Sequence, residues 1–272
     1  MPLNFDPGYI SEPFLTLCAQ APDATVYPYA AFRTEWGPIF HRGRLDGSAR
    51  VLCIGQDPAE HEAVVRRILV GTAGHRGQGF LAKLGINRSY VLVNTFLYSV
   101  YGQTGGTQHI NDPQITQYRN QWIAALISTA SIEVVVAFGG LADQAWQAFL
   151  AVPANAPSKN LPYQHVPHPT SPEGAGGTPA KIKAATKAML ANWNQAIQTL
   201  RPAIKHPDTT SPFVPYGSDF LAAELPGIPA FDLPAGTPAW MQGASGWAVR
   251  TGTTAALKRR TISVEVPTGV IP

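Results

Sequence analysis

The stretch Val51-Leu52-Cys53-Ile54-Gly55-Gln56-Asp57-Pro58-Ala59 begins as a buried strand and breaks at Gly55. A carboxamide and a carboxylate follow immediately, and Pro58 restricts the backbone behind them. An apolar, β-branched run that ends this abruptly in polar residues is what a central parallel strand leaves at its carboxyl end.

Three further segments of the same kind lie downstream, so that Arg50–Ile54 is followed by Tyr90–Thr95, Ile132–Phe138 and Tyr163–Pro167. Helical patterns separate them. Phe80, Leu81 and Leu84 share one face of Gly79–Gly85, and Ile115, Tyr118, Trp122 and Leu126 recur at three- and four-residue spacing. Asn111 or Asp112 is placed to cap that second helix, with Pro113 in its first turn. Asp143–Leu150 and Lys181–Leu200 supply two more helices. The alternation predicts an α/β fold of three layers, α-β-α, around a central four-stranded parallel sheet.

In such sheets ligands bind outside the carboxyl ends of the strands. The rim here carries Gly55-Gln56-Asp57-Pro58, then Asn94, then Gly139-Gly140, then His168-Pro169-Thr170. Each residue alone has a plain structural reading. Asp57 suits a helix cap or turn, Asn94 a turn, and His168 a loop stiffened by two prolines. Together they bring a carboxylate, an amide and an imidazole to one edge.

The remaining composition narrows the field. With 45% hydrophobic and 14% charged residues the 272-residue chain is globular, and its charge of +3 permits an anionic partner without requiring one. Two cysteines, Cys18 and Cys53, without CxxC spacing disfavour a disulfide framework, a Cys₄ zinc site or an iron–sulfur cluster. His165 beside His168 lacks a third ligand with recognisable spacing. No apolar run reaches about 18 residues, and the first residues show no export signal. A cytoplasmic protein is expected, nucleoid-associated if bacterial. Residues 1–200 read as a single domain with a partly helical N-terminal layer over 1–48. Ten of the 25 prolines fall in 201–272, which reads as a Pro/Gly-rich extension packed on the core with one strand at Thr261–Val266. Gly71–Gly79 reads as a flexible loop, because it lacks the phosphate-cradling patterns, and Lys258-Arg259-Arg260 as a solvated basic run.

The ordered rim resembles the uracil-DNA glycosylase superfamily. Gly55-Gln56-Asp57-Pro58 is identical to the start of the water-activating motif of the family 1 enzymes, and His168-Pro169-Thr170 is similar to the superfamily's His-Pro-Ser loop. Leu69-Val70-Gly71-Thr72-Ala73-Gly74 with Gly85-Ile86 resembles a pattern of families 4 and 5, and Tyr90–Asn94 their strand ending in Asn. The resemblance spans roughly residues 50–200 and implies excision of uracil from DNA without metal or cofactor, leaving an abasic site and free uracil.

By this resemblance Asp57 stabilises the oxocarbenium-like sugar and orients water, while His168 stabilises charge on uracil O2. Asn94 reads O4 and N3–H, and the Gln56 backbone donates to O2. Leu69 or Phe80 stands where a base-stacking aromatic is expected, with Phe80 favoured for a core role. Pro58, Arg76, Pro169, Thr170, Ser171 and Lys181 are candidate DNA contacts, joined by Lys183 and Lys187 and, as a weaker candidate, by the basic run Lys258-Arg259-Arg260. The partner implied is uracil-containing DNA, met by a monomer with the base flipped into the pocket.

The chain also departs from the family pattern. Ala59 replaces the Tyr that blocks a thymine methyl, leaving Glu60 or His61 to fill the space. The loop Ser171-Pro172-Glu173-Gly174-Ala175-Gly176-Gly177 lacks the apolar wedge of family 1. A damaged-base or abasic-site binder, a glycosylase of wider scope and a nucleoside hydrolase on the same sheet stay open as alternatives.

Overall fold

The computed structural model describes residues 11–102, 106–174, 176–243 and 246–270. The first ten residues of the expected N-terminal layer, and Ala175 of the wedge-less loop, lie outside these ranges. Among the described residues the chain runs as α1 (Phe14–Ala19), β1 (His41–Gly43), β2 (Val51–Gly55), α2 (Glu60–Val65), α3 (Gly71–Lys83), β3 (Tyr90–Asn94) and α4 (Pro113–Thr129). It continues through β4 (Val134–Phe138), α5 (Gly140–Leu150), β5 (Tyr163–Val166), α6 (Ser171–Gly174) and α7 (Pro179–Leu200). Beyond these come α8 (Trp240–Gly243), β6 (Ala248–Arg250), α9 (Ala255–Arg260) and β7 (Ile262–Val264).

The four expected strands pair in parallel, and the short β1 joins them antiparallel, giving a five-stranded sheet in the order β1-β3-β2-β4-β5. The fold is therefore the α/β three-layer one, with an extra edge strand. That strand escapes the sequence pattern because its three residues, His41, Arg42 and Gly43, carry no apolar alternation.

Period-two alternation along the strands explains the layers. Leu52, Ile54, Val91, Val93, Val135 and Ala137 point to one face, where they pack with Trp122 of α4, Trp146 of α5 and Phe14 of α1. Val51, Cys53, Leu92, Val134, Val136 and Phe138 point to the other, against Phe80 and Leu81 of α3 and Leu190 and Trp193 of α7. The chain leaves β2 for β3 on one side and then returns to β4 on the other. That reversal opens a crevice at the carboxyl ends of β2 and β4, where ligands enter sheets of this kind.

Gly71–Gly79 is not a loop. It forms most of α3, whose glycines are sites of close approach. A Cβ at Gly74 would stand 2.0 Å from the Leu69 carbonyl oxygen, and one at Gly79 would stand 2.0 Å from that of Glu224. Glycine normally weakens a helix by about 1 kcal/mol against alanine, so here packing overrides propensity.

Residues 201–243 and 246–270 pack along the sheet from the start of β3 to the rim. Asp208 accepts from the backbone N–H groups of Asn87, Arg88 and Ser89 just before β3. Asp232 is buried and meets Arg42 at 3.0 Å and Arg44 at 2.6 Å. Arg42 also donates from Nε to the Ile68 carbonyl and from Nη1 to Gln78 and Tyr90. Finally β6 and β7 pair antiparallel next to α2. No helix among the described residues is long and apolar enough to cross a membrane.

Candidate active site

β2 delivers Gln56 and Asp57 into a cavity of about 1040 Å³, and the loop after β5 delivers His168 and Thr170 to the same cavity. Two glycines make this convergence sterically feasible. Gly139 holds φ +94°, and a Cβ there would come within 2.7 Å of Gln56 Nε2 and 3.2 Å of His168 Cβ. Gly55 sits opposite Asn94 in the ladder, and a Cβ there would come within 2.3 Å of Asn94 Oδ1.

Asp57 Oδ2 accepts from the Val100 N–H at 3.0 Å. Desolvation pushes its carboxyl up to about 6, against the opposing pull of that hydrogen bond and of Arg33 and Arg250. His168 is pushed down to about 4 by desolvation, so its imidazole is neutral at physiological pH. Its Nδ1 receives the Thr170 N–H at 3.3 Å, with Thr170 Oγ1 at 3.1 Å. A backbone N–H can only donate, so Nδ1 is the acceptor and Nε2 carries the hydrogen.

Glu62 reaches back from α2 to fix the loop after Asp57. Its carboxylate accepts from the Ala59 N–H at 3.0 Å and the Val70 N–H at 3.2 Å, and burial raises its pKa to about 7. Pro58 and Ala59 line the cavity, as do Glu60 and Ser171. His61 turns away instead, with its ring over Gly71 and Nε2 accepting from Gly246 and Ala248. It therefore does not fill the space beside Ala59.

Other expected residues sit elsewhere. Asn94 lies beneath the rim, 8% exposed, and its Oδ1 is buried without a hydrogen-bond partner. Leu69 is buried at φ +49°, with Cδ1 3.5 Å from the Cβ position at Gly55. Phe80 does not reach the site. It takes the favoured core role, fully buried with Leu81 and Leu84 and edge-on to Phe138 and Trp193. Arg76 is engaged within the protein and is no ready phosphate contact. It donates to both Glu173 carboxylate oxygens, at 2.9 and 2.6 Å, and to the Pro169 carbonyl at 2.7 Å. Arg76 thus braces the His168 loop. Pro169 is buried in that loop, while Lys181 is exposed at the start of α7. His165 is exposed and lies 3.7 Å from Asp143, so its charged neighbour is on α5.

Sequence reasoning missed three contributors. Arg33 lines the cavity, buried under Val100 and between the rings of Trp36 and Tyr101, at 5.0 and 5.2 Å. Tyr101 is a second lining residue. The third is the chain's far end, where Val249, Arg250 and Ala255 form part of the wall beside Lys258 of the basic run. The run Lys258-Arg259-Arg260 is not simply solvated. Arg259 is buried, donates to the Tyr29 and Phe32 carbonyls, and covers the rings of Tyr29 and Tyr101.

A carboxylate and an imidazole thus meet at the strand ends of an α/β sheet. The family model described as the uracil DNA glycosylase superfamily matches residues 42–203, and the chain belongs to that superfamily. A search of curated proteins returns no match.

Proposed function

We propose that the protein is a monofunctional uracil-DNA glycosylase, which hydrolyses the N-glycosidic bond of a flipped deoxyuridine and leaves an abasic site. The observation that carries this reading is the shared cavity of Asp57 and the Nε2-protonated, neutral His168.

As the bond to the base stretches, positive charge develops on the sugar and negative charge on uracil. Asp57, ionised above about pH 6, stabilises the first and orients the attacking water. His168 Nε2–H donates to the uracil O2 as it becomes anionic, which a neutral imidazole does without giving up its proton. Asn94 does not line the cavity, but its buried, unpartnered Oδ1 beneath the rim supports its reading as an acceptor for uracil N3–H. Its amide N–H then faces O4, and cytosine presents the opposite pattern at both positions.

Multiple-turnover excision on labelled U:G, U:A and T:G duplexes, with Asp57→Asn alongside, tests the reading. Scission at uracil that disappears in the variant is expected. Equal rates in wild type and variant would overturn the mechanism. Asn94→Asp should depress uracil excision, since a carboxylate repels O4.

A wider substrate range is a second reading, favoured by the exposed Ala59 on the cavity wall. T:G scission that Ala59→Tyr abolishes would establish it.

A further inference from the structure

The residues matched by the superfamily end at 203, yet the cavity wall includes Val249, Arg250, Ala255 and Lys258. These come from β6 and α9, and the structure holds β6 firmly from below. Trp247 packs edge-on against His61 at 4.8 Å and against Trp240 at 5.7 Å, with Ala248 buried beside it. His61 Nε2 accepts from the Gly246 and Ala248 N–H groups. On α9, the buried Arg259 anchors the helix to the Tyr29 and Phe32 carbonyls and to Glu35.

What this scaffold presents outward is unusual for a mere strut. Val249 is 45% exposed and borders the cavity, so its side chain is an apolar group open to whatever enters there. Arg250 follows it directly, holding Glu60 through Nε at 3.3 Å with 43% of its side chain exposed. Lys258 is exposed on the same wall. Across the cavity, Ser171, Pro172, Glu173 and Gly174 offer no exposed apolar side chain, and the nearby Arg76 is committed to Glu173.

We propose that β6 and α9 form a DNA-engaging lip. Val249 supports the gap left in the base stack, while Arg250 and Lys258 bind phosphates beside the flipped nucleotide. An apolar wedge between cationic phosphate contacts is the arrangement that opening a duplex requires. The proposal rests on the glycosylase reading for its substrate, and duplex DNA is its one partner.

The test uses the full chain with Val249→Ser and with Arg250→Ala/Lys258→Ala. Single-turnover excision is measured on a uracil-containing single strand and on the U:A duplex. Val249→Ser should slow the duplex about tenfold and the single strand less than about twofold, because only the duplex needs a wedge. Equal slowing of both, or of neither, overturns the wedge role.

Affinity for a uracil-containing duplex is then measured across a salt series in an Asp57→Asn background. The double variant should lower the slope of log K against log salt by about two, one for each phosphate that is no longer neutralised. An unchanged slope overturns the phosphate role. A wild-type chain that excises normally while both variants match it defeats the lip and leaves the glycosylase reading intact. A chain without excision, whose slope still falls in the double variant, does the reverse.

Discussion

The cavity has two walls of different construction. The wall from β2, the Gly139 turn and the His168 loop is built of glycine and proline backbone. It holds its two ionisable groups where burial moves one up to about 6 and the other down to about 4. The wall from β6 and α9 is exposed and keeps its cations in water, with rigidity coming from beneath through His61, Trp247 and Arg259. Chemistry that depends on perturbed protonation is served by the half-buried wall of Asp57 and His168, whereas a polyanion is best met by the exposed one. The two walls also differ in origin, one lying within the residues matched by the family model and the other beyond residue 203.

The sharpest way to break that contrast is Asp57→Asn. Its excision rate should fall by at least about 10²–10³ while DNA affinity is retained. The same substitution should stabilise the fold at pH 8 by about 1–3 kcal/mol. The sign follows from the raised carboxyl: between the ordinary 3.8 and about 6 the folded state binds the extra proton, so stability declines as pH rises through that window. The asparagine avoids this loss. Denaturant titration of both proteins at pH 5 and pH 8 reads the difference, and no gain at pH 8 would mean that Asp57 is well solvated.

Asp232→Ala attacks the segment beyond residue 203 instead. It strands Arg42, whose side chain is fully buried, and should lower stability by about 3–5 kcal/mol in urea unfolding. A loss below about 1 kcal/mol would show that residues beyond 201 are held mainly by apolar contacts.

The pH profile comes next in size. Uracil kcat/KM should fall about tenfold per unit below pH 6 as Asp57 protonates, with His168 silent until about pH 4. A flat profile from pH 7 to pH 5 would place the ionised Asp57 outside the reaction. Smallest is Arg76→Ala, which frees the His168 loop from its brace. It should reduce kcat about three- to tenfold with little change in salt dependence, since the side chain is paired to Glu173. A marked drop in salt slope would instead return Arg76 to the phosphates.

Much of the half-buried wall is legible from the chain. The strand that breaks at Gly55, the helix that opens at Pro113 and the placing of Asp57 and His168 after strand ends follow from local pattern, whereas Asn94 closes β3 beneath the rim. The misreadings share one cause. Gly71–Gly79 reads as a loop because helix propensity ignores what packs against a helix, and its glycines admit Leu69 and Glu224 backbone. Phe80, by contrast, takes the core role that its place on the apolar helix face favours.

The far end of the chain shows the same limit more strongly. Nothing within Val249-Arg250 or Lys258-Arg259-Arg260 separates a solvated run from a cavity wall, because no periodicity links them to Asp57. Local sequence is enough for the layered sheet and the polar groups at its strand ends, for strand alternation and glycine breaks are encoded within a few residues. The environment of each group is instead a product of the assembled fold: the desolvation of Asp57, the tautomer of His168, the engagement of Arg76 and the arrival of β6 at the rim. These depend on contacts between segments far apart in the chain, such as Arg76 with Glu173 and His61 with Gly246, and local composition carries no record of them.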